Sequence, residues 1–204
     1  MKAKPILVLG HPRSGTSYMA KLMQSFGIDI RHEKMGKHGI SDWMFAVRSD
    51  DKPWGKKSNI NTEFNHIIHI HPNPWRALNS VSFKENLAPK SVAFRRRFIN
   101  LPESYNIVDI AVESLIEWNE LIEKWHPDLT VAVGNAKHKC YEYLTQQGFS
   151  IKKPDQLPEL GNVNSRERYD LPPSEMLKLM SFPYREKFLK YADKVMALEK
   201  GKTT

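Results

Sequence analysis

Apolar residues along this chain recur in two rhythms that alternate from the first ten residues to the last thirty. Residues 6–9 form a continuous apolar run closed by Gly10, the form of a buried strand. Met19, Leu22, Met23 and Phe26 then recur at i, i+3, i+4 and i+7, one face of a helix that Gly27 stops. Residues 28–30 read as a short second strand and 40–47 as a helix, followed by a polar loop over 49–58. The stretch 66–71, His-Ile-Ile-His-Ile-His, alternates and is rich in β-branched residues, so it reads as a strand. Pro72-Asn73-Pro74 breaks it, and Pro74 stands where a first helical position belongs, ahead of a helix over 75–83.

The longest helix is expected over 106–125, with Ile107, Ile110, Ala111, Ser114, Leu115, Trp118, Leu121 and Ile122 on one side. A strand at 129–133 and a helix at 137–147, closed by Gly148, follow. Residues 151–168 make an extended connection. Ser174 is expected to cap a helical region running to about 199 and broken near Pro183. Strands that alternate with helices predict an α/β domain of three layers, a mainly parallel sheet flanked by helices, as one domain over 1–204. In such sheets ligands lie at the carboxyl ends of strands. Two of those ends carry unusual polar chemistry: residues 10–17 and 71–80.

Composition narrows the setting. Cys140 is the only cysteine, which removes a disulfide framework and a cysteine-based zinc site and suggests a reducing, cytoplasmic compartment. No stretch approaches the length of a membrane span, and the apolar run at 5–9 is too short for a signal peptide. Lys and Arg outnumber Asp and Glu by 31 to 23, for a net charge of +8. The bases are dispersed, with Arg95-Arg96-Arg97 as the one tight run and no nucleic-acid motif beside them. A multiply phosphorylated small ligand suits that dispersion better than a nucleic acid or a membrane surface.

The loop Gly10-His-Pro-Arg-Ser-Gly-Thr-Ser17 lies between the buried strand and the amphipathic helix. Backbone amides and the positive end of the helix dipole can there cradle an anion. Gly15 permits a tight turn. Arg13 brings a fork of donors matched to phosphate or sulfate oxygens, and Thr16 and Ser17 bring hydroxyls. A nucleotide-triphosphate loop would have Lys directly after the second glycine, where this chain has Thr16. Nor does the sequence show an apolar strand ending in a magnesium-holding Asp, since 129–133 ends in Gly134-Asn135.

Pro12-Arg13-Ser14-Gly15-Thr16-Ser17 resembles, without a gap, the 5′-phosphosulfate loop of the sulfotransferase family, in the branch whose loop reads Pro-Arg-Ser-Gly-Thr. The resemblance implies a P-loop-like sulfotransferase fold and a donor, 3′-phosphoadenosine-5′-phosphosulfate (PAPS), that leaves as 3′,5′-adenosine diphosphate. It implies that Arg13 contacts the bridging or sulfuryl oxygens and that Ser14, Gly15, Thr16 and Ser17 hold the 5′-phosphate, with no metal required. Tyr18 sits at a position that some relatives stack on adenine, and Trp43 and Trp54 are further aromatic candidates.

The family's second element, a strand followed by Arg-Asp/Asn-Pro and a helix bearing Ser, is similar to His71-Pro72-Asn73-Pro74 with Ser80. Asn73, Pro74 and Ser80 match, but Pro72 stands where the 3′-phosphate Arg belongs. His71, Arg76, or Arg166 or Arg168 of a late loop are the candidates to supply that charge.

An acceptor hydroxyl or amine needs a base. In relatives with this loop a Glu just after the second strand serves, which implies Glu33 here, with His32 second and His38 third. His66, His69 and His71 read as sharing one strand face, but no carboxylate or Cys stands at ligand spacing from them, so no metal is expected. The expected partner is a small-molecule or glycan acceptor. A P-loop kinase of a small metabolite and a non-catalytic binder of phosphorylated ligands are the rival readings.

Overall fold

The computed structural model describes residues 4–49, 53, 62–84, 89–103, 106–160 and 170–201. In chain order they form β1 (Lys4–Leu9), α1 (Thr16–Phe26), β2 (Ile30–His32), β3 (Gly39–Ser41) and a 3-10 turn (Met44–Ala46). Next come β4 (Phe64–His71), α2 (Pro74–Phe83), α3 (Pro89–Arg95), α4 (Ile107–Glu123), β5 (Leu129–Ala132) and α5 (Ala136–Gln146). A second 3-10 turn (Pro154–Gln156), α6 (Pro173–Leu179) and α7 (Phe182–Glu199) complete the order. The strands make one sheet, β2-β3-β1-β4-β5, in which every described pairing is parallel.

Side-chain alternation on the central strands builds a layer on each face. Ile6 and Val8 of β1, with Ile68 and Ile70 of β4, pack against Met19, Leu22, Met23 and Phe26 of α1 and Cys140 and Leu144 of α5. Leu7 and Leu9 face the other way, toward the 3-10 turn at 44–46 and Trp118 and Ile122 of α4. Beyond them α2, α4, α6 and α7 share a cluster that includes Leu78, Val112, Leu115, Met176 and Phe188. The expected α/β architecture with a parallel sheet flanked by helices is what the chain forms.

Several expectations need correction. Residues 40–47 are not a helix but the end of β3 and a 3-10 turn. Their apolar density reflects burial on all sides, since 41–47 are all buried, and not one helical face. Gly39 permits β3 to lie against β1, because a Cβ there would meet the Ile6 carbonyl oxygen at 1.7 Å, and its φ is +152°. The second strand begins at Ile30, two residues later than expected, because the amide of Ile28 still bonds back to Met23 O as α1 unwinds. The final helical region does break near Pro183, at residues 180–181, and Pro183 stands in the first turn of the new helix. Ser174 lies inside α6, whose N-cap is Pro172. α3 was not anticipated. No described helix is long and apolar enough to cross a membrane.

The order of strands fixes where a crevice opens. From β1 the chain moves toward β3 and β2, and from β4 it moves toward β5. Adjacent strands whose connections leave in opposite directions part at their carboxyl ends, the standard ligand position in open parallel sheets. Residues 10–17 follow β1 and residues 72–80 follow β4, so both polar segments border that gap.

Candidate functional site

The loop after β1 turns by alternating handedness. Arg13 (φ 71°) and Gly15 (φ 93°) are both left-handed, a conformation rare and costly for an arginine. Such alternation turns successive amides toward one concave side. Ser14 N closes the turn on His11 O at 2.9 Å, and Met19 N is the first to join the helical ladder, on Gly15 O at 2.9 Å. Among the described residues, the amides of Gly15, Thr16, Ser17 and Tyr18 donate to no protein acceptor, and no side chain caps α1. The Ser14 amide is thus engaged within the loop. The residue's group without a partner is the hydroxyl, fully buried. A Cβ on Gly15 would approach Val133 Cγ2 to 2.9 Å, so the turn after β5 walls the loop on that side.

Two residues that the sequence reading left without a role hold this loop from beneath. His11 is fully buried; its Nδ1 donates to Pro12 O, and its Nε2 shares a hydrogen bond with Ser114 Oγ of α4 at 2.8 Å. Ser41 of β3 donates its hydroxyl to Thr16 O at 2.7 Å. A histidine between the glycine and the proline of a phosphate loop was the visible signal for the first. Nothing marked Ser41, because its strand was not read.

Across the crevice Arg13 Nε donates to Ser80 Oγ at 2.8 Å, joining the loop to a buried hydroxyl of α2 that lies 67 residues away in sequence. Asn73 serves as N-cap of α2, its side chain accepting from Arg76 N at 3.2 Å. Pro74 takes the first helical turn as expected. Pro72 is buried, and Arg76 is exposed in the first turn of α2. His71 is removed as a substitute for the missing arginine: it is 2% exposed and stacked 4.1 Å from the His69 ring, facing Tyr191 of α7. Burial pushes its pKa well below the ordinary value, so it carries no charge to offer. Arg166 and Arg168 lie outside the described residues.

The three β4 histidines do not share a face. His69 and His71 point toward α4 and α7, whereas His66 points the other way, bonded to Tyr143 Oη at 2.9 Å and packed on Phe149. His71 is two positions from His69 but His69 is three from His66, and a strand's period of two sends the third ring through the sheet. Among the described residues no group of three or more His, Cys, Asp or Glu is placed to hold a metal ion.

The candidate bases are brought to the other flank of the loop. His32, the last residue of β2, sets Nε2 3.1 Å from Thr16 Oγ1 and 3.8 Å from Glu33 Oε1. Burial holds its pKa below the ordinary imidazole value, and the Glu33 carboxylate opposes that shift. Glu33 leaves the sheet in a left-handed conformation (φ 52°), and its Oε1 accepts from the Trp43 indole N–H at 3.2 Å. His38 is placed elsewhere. It precedes β3 at the amino end of the sheet, with Nδ1 accepting from Asp29 N at 2.9 Å, a whole strand length from the loop.

Of the aromatic candidates, Trp43 is core, 2% exposed between Phe94 and Trp118. Tyr18 is half-buried against the core beneath α1, and burial raises its pKa. Trp54 lies outside the described residues. One further group was not foreseen: β3 runs into Asp42, a buried carboxylate beside β1, whose amide bonds to Val8 O and whose Oδ1 accepts from Met44 N at 2.6 Å. A strand ending in Asp next to the loop strand is thus present, where the sequence had shown none. Comparison with protein-family models, with curated proteins and with solved structures finds no match for this chain.

Proposed function

We propose that this chain is a PAPS-dependent sulfotransferase of cytoplasmic setting, with the donor's 5′-phosphosulfate in the loop at 10–17. The observation that carries the reading is the run of unpaired amides from Gly15 to Tyr18, with Arg13 reaching across the crevice to Ser80. The buried, unpartnered Ser14 hydroxyl adds a further group that a tetrahedral anion would satisfy. The fit is less complete for the donor's 3′-phosphate. Pro72 offers no charge, so Arg76 and Ser80 are the described groups at that end, with Asn73 setting the helix that bears them.

PAPS supplies the sulfuryl group and departs as 3′,5′-adenosine diphosphate. Arg13 and the open amides stabilise negative charge as it gathers on the departing phosphate. Glu33 takes the proton of the acceptor hydroxyl or amine through Oε2, since Oε1 is engaged by Trp43. His32 stands between that carboxylate and the loop hydroxyl of Thr16.

Asp42 favours a second reading, a P-loop kinase of a small metabolite, because a carboxylate after the strand beside the loop is where such enzymes hold magnesium. Against it stand Thr16 in place of the lysine and the Met44 amide already on Oδ1. Thermal-shift titration with 3′,5′-adenosine diphosphate, ATP and GTP, each with and without Mg²⁺, separates the two. A ligand that binds only the native state raises its stability by RT ln(1 + [L]/Kd). Preference for the bisphosphate without metal supports the sulfotransferase; preference for ATP with Mg²⁺ replaces it with the kinase. Binding of the bisphosphate without transfer to any acceptor would leave a phospho-ligand binder.

A further inference from the structure

The loop and the candidate base are joined by a side-chain path that the proposed chemistry does not by itself require. Thr16 is the first residue of α1, its hydroxyl 3.1 Å from His32 Nε2, and the same nitrogen is 3.8 Å from Glu33 Oε1. One nitrogen therefore faces the anion loop on one side and the carboxylate on the other. The path rests on fixed elements. His32 pairs in register with Ser41 of β3, and Ser41 in turn holds the Thr16 carbonyl. Trp43 fixes the far end by its bond to Glu33.

A threonine hydroxyl has a single proton to give. With the loop empty it can give that proton to a neutral His32. An anion among the amides of 15–18 is the stronger acceptor and draws the proton to itself. His32, whose Nδ1 carries the proton while Nε2 accepts, keeps its contact with Thr16 as a donor by taking a second proton from solvent on Nε2. His32 has a third of its side chain exposed, so that path is open. Two negative groups then flank one ring, the loop anion and Glu33. Among the described residues, Glu33 is the charged group that acts on the empty-site ring. Thr16 faces it from α1 and Ser41 from β3, and its strand neighbour Arg31 is paired with Asp29.

We propose that His32 is a positioning residue: it takes up a proton when an anion enters the loop and, as imidazolium, pairs with and orients Glu33. The base is thereby set only when the donor is in place. The empty-site ring is held neutral by its burial, which leaves room for the change. This inference rests on the loop being an anion site, not on the anion being PAPS.

The test is calorimetry at pH 7 with 3′,5′-adenosine diphosphate in two buffers of different ionisation heat, Tris and Pipes, which counts the protons exchanged on binding. The ligand's own phosphates also exchange protons, so the measured quantity is the difference between the unaltered chain and His32→Gln with the same ligand. Unaltered protein should take up about 0.5 to 1 proton more than His32→Gln, which should bind roughly three- to tenfold more weakly. Thr16→Val, saturated with ligand, should lose most of the same uptake. Equal proton counts for the unaltered chain and His32→Gln overturn the proposal, as does full uptake by Thr16→Val.

If His32→Gln does not fold, NMR of the unaltered chain decides. At constant pH one of the eight histidine Cε1–H signals moves to its protonated position on adding ligand, or none does and the proposal falls. Proton uptake with ATP but no binding of the bisphosphate would sink the sulfotransferase reading and leave the coupling intact. No binding of the bisphosphate, ATP or inorganic pyrophosphate would remove both.

Discussion

The seam between α4 and α7 and the loop after β1 dispose of their polar groups differently: the seam engages most of its side chains, whereas the loop leaves a run of backbone amides open. Along the seam many polar groups find one another, although His69 Nδ1, His71 Nδ1 and Trp118 Nε1 are buried without a partner among the described residues. Asp109 accepts from both the amide and the hydroxyl of Ser181, and Lys187 and Lys194 pair with Glu113 and Glu123. Asn119 accepts from His69 and donates to Leu115 O and Tyr191 Oη. At the loop, consecutive amides and a buried hydroxyl are left open, under a backbone that holds Arg13 left-handed. Satisfied polar groups rigidify a fold, whereas open ones are costly to keep and mark a place reserved for a ligand. The seam serves stability and the loop serves binding, and that contrast can be attacked from either side.

The largest effect should come from the seam. Asn119→Ala strands two buried partners at once, His69 Nε2 and Tyr191 Oη, and should cost about 3 to 4 kcal/mol in denaturant unfolding. Affinity for 3′,5′-adenosine diphosphate should not change; if it did, the two regions would not be separable. Acid should do nearly as much. Burial holds His69 down to about 4 and His71 well below its usual value. The unfolded chain protonates both near 6.5, so it binds more protons than the native state below that pH. Stability present above pH 6.5 is therefore lost as pH falls toward 4, by about 3 kcal/mol for His69 alone. A denaturant series from pH 7 to pH 4 should show that slope, and His69→Gln should flatten it.

On the loop side the signs reverse. Arg13→Gly relieves a left-handed side chain and should leave stability unchanged or raise it by about 1 kcal/mol, while binding of the bisphosphate weakens on the order of a hundredfold. A stability loss above about 2 kcal/mol would mean that Arg13 is structural after all. Ser80→Ala removes both the tether on Arg13 Nε and a hydroxyl at the 3′-phosphate end, and should weaken the same binding about fivefold, with unfolding nearly unaffected.

How much of this was legible in the sequence depended on whether the signal was local. Asn73-Pro74 is a cap and a first turn in any context, and the helical rhythm from Ile107 to Ile122 is long, so α2 and α4 lay where expected, although α4 is buried beyond that stripe, at Val108, Val112 and Ile116 as well. The loop was legible for the same reason, a glycine-bearing segment between strand and helix. β3 was not. Three residues have no rhythm, and Gly39-Ile40-Ser41 becomes a strand because β1 lies on one side and β2 on the other. With β3 unread, Asp42 and the Ser41 bond to Thr16 were also out of sight. Sequence placed Glu33 and His32 beside each other but gave no hint of the Trp43 indole or of the Thr16 contact, since both arise from elements that meet only in the folded sheet.

The order of the strands also sets a schedule. β1, made first, lies at the centre of the sheet, and one of its neighbours, β4, pairs with it across 60 residues, Ile6 against His66. Contacts so distant along the chain are slow to form, because each must close a long loop before it gains anything. β3 can cover one edge of β1 once Ser41 has been made, but the other edge of this apolar strand stays open until β4 has been made, and the anion hollow, bordered by both β1 and β4, can take shape only then. The working part of this fold waits on a distant pairing.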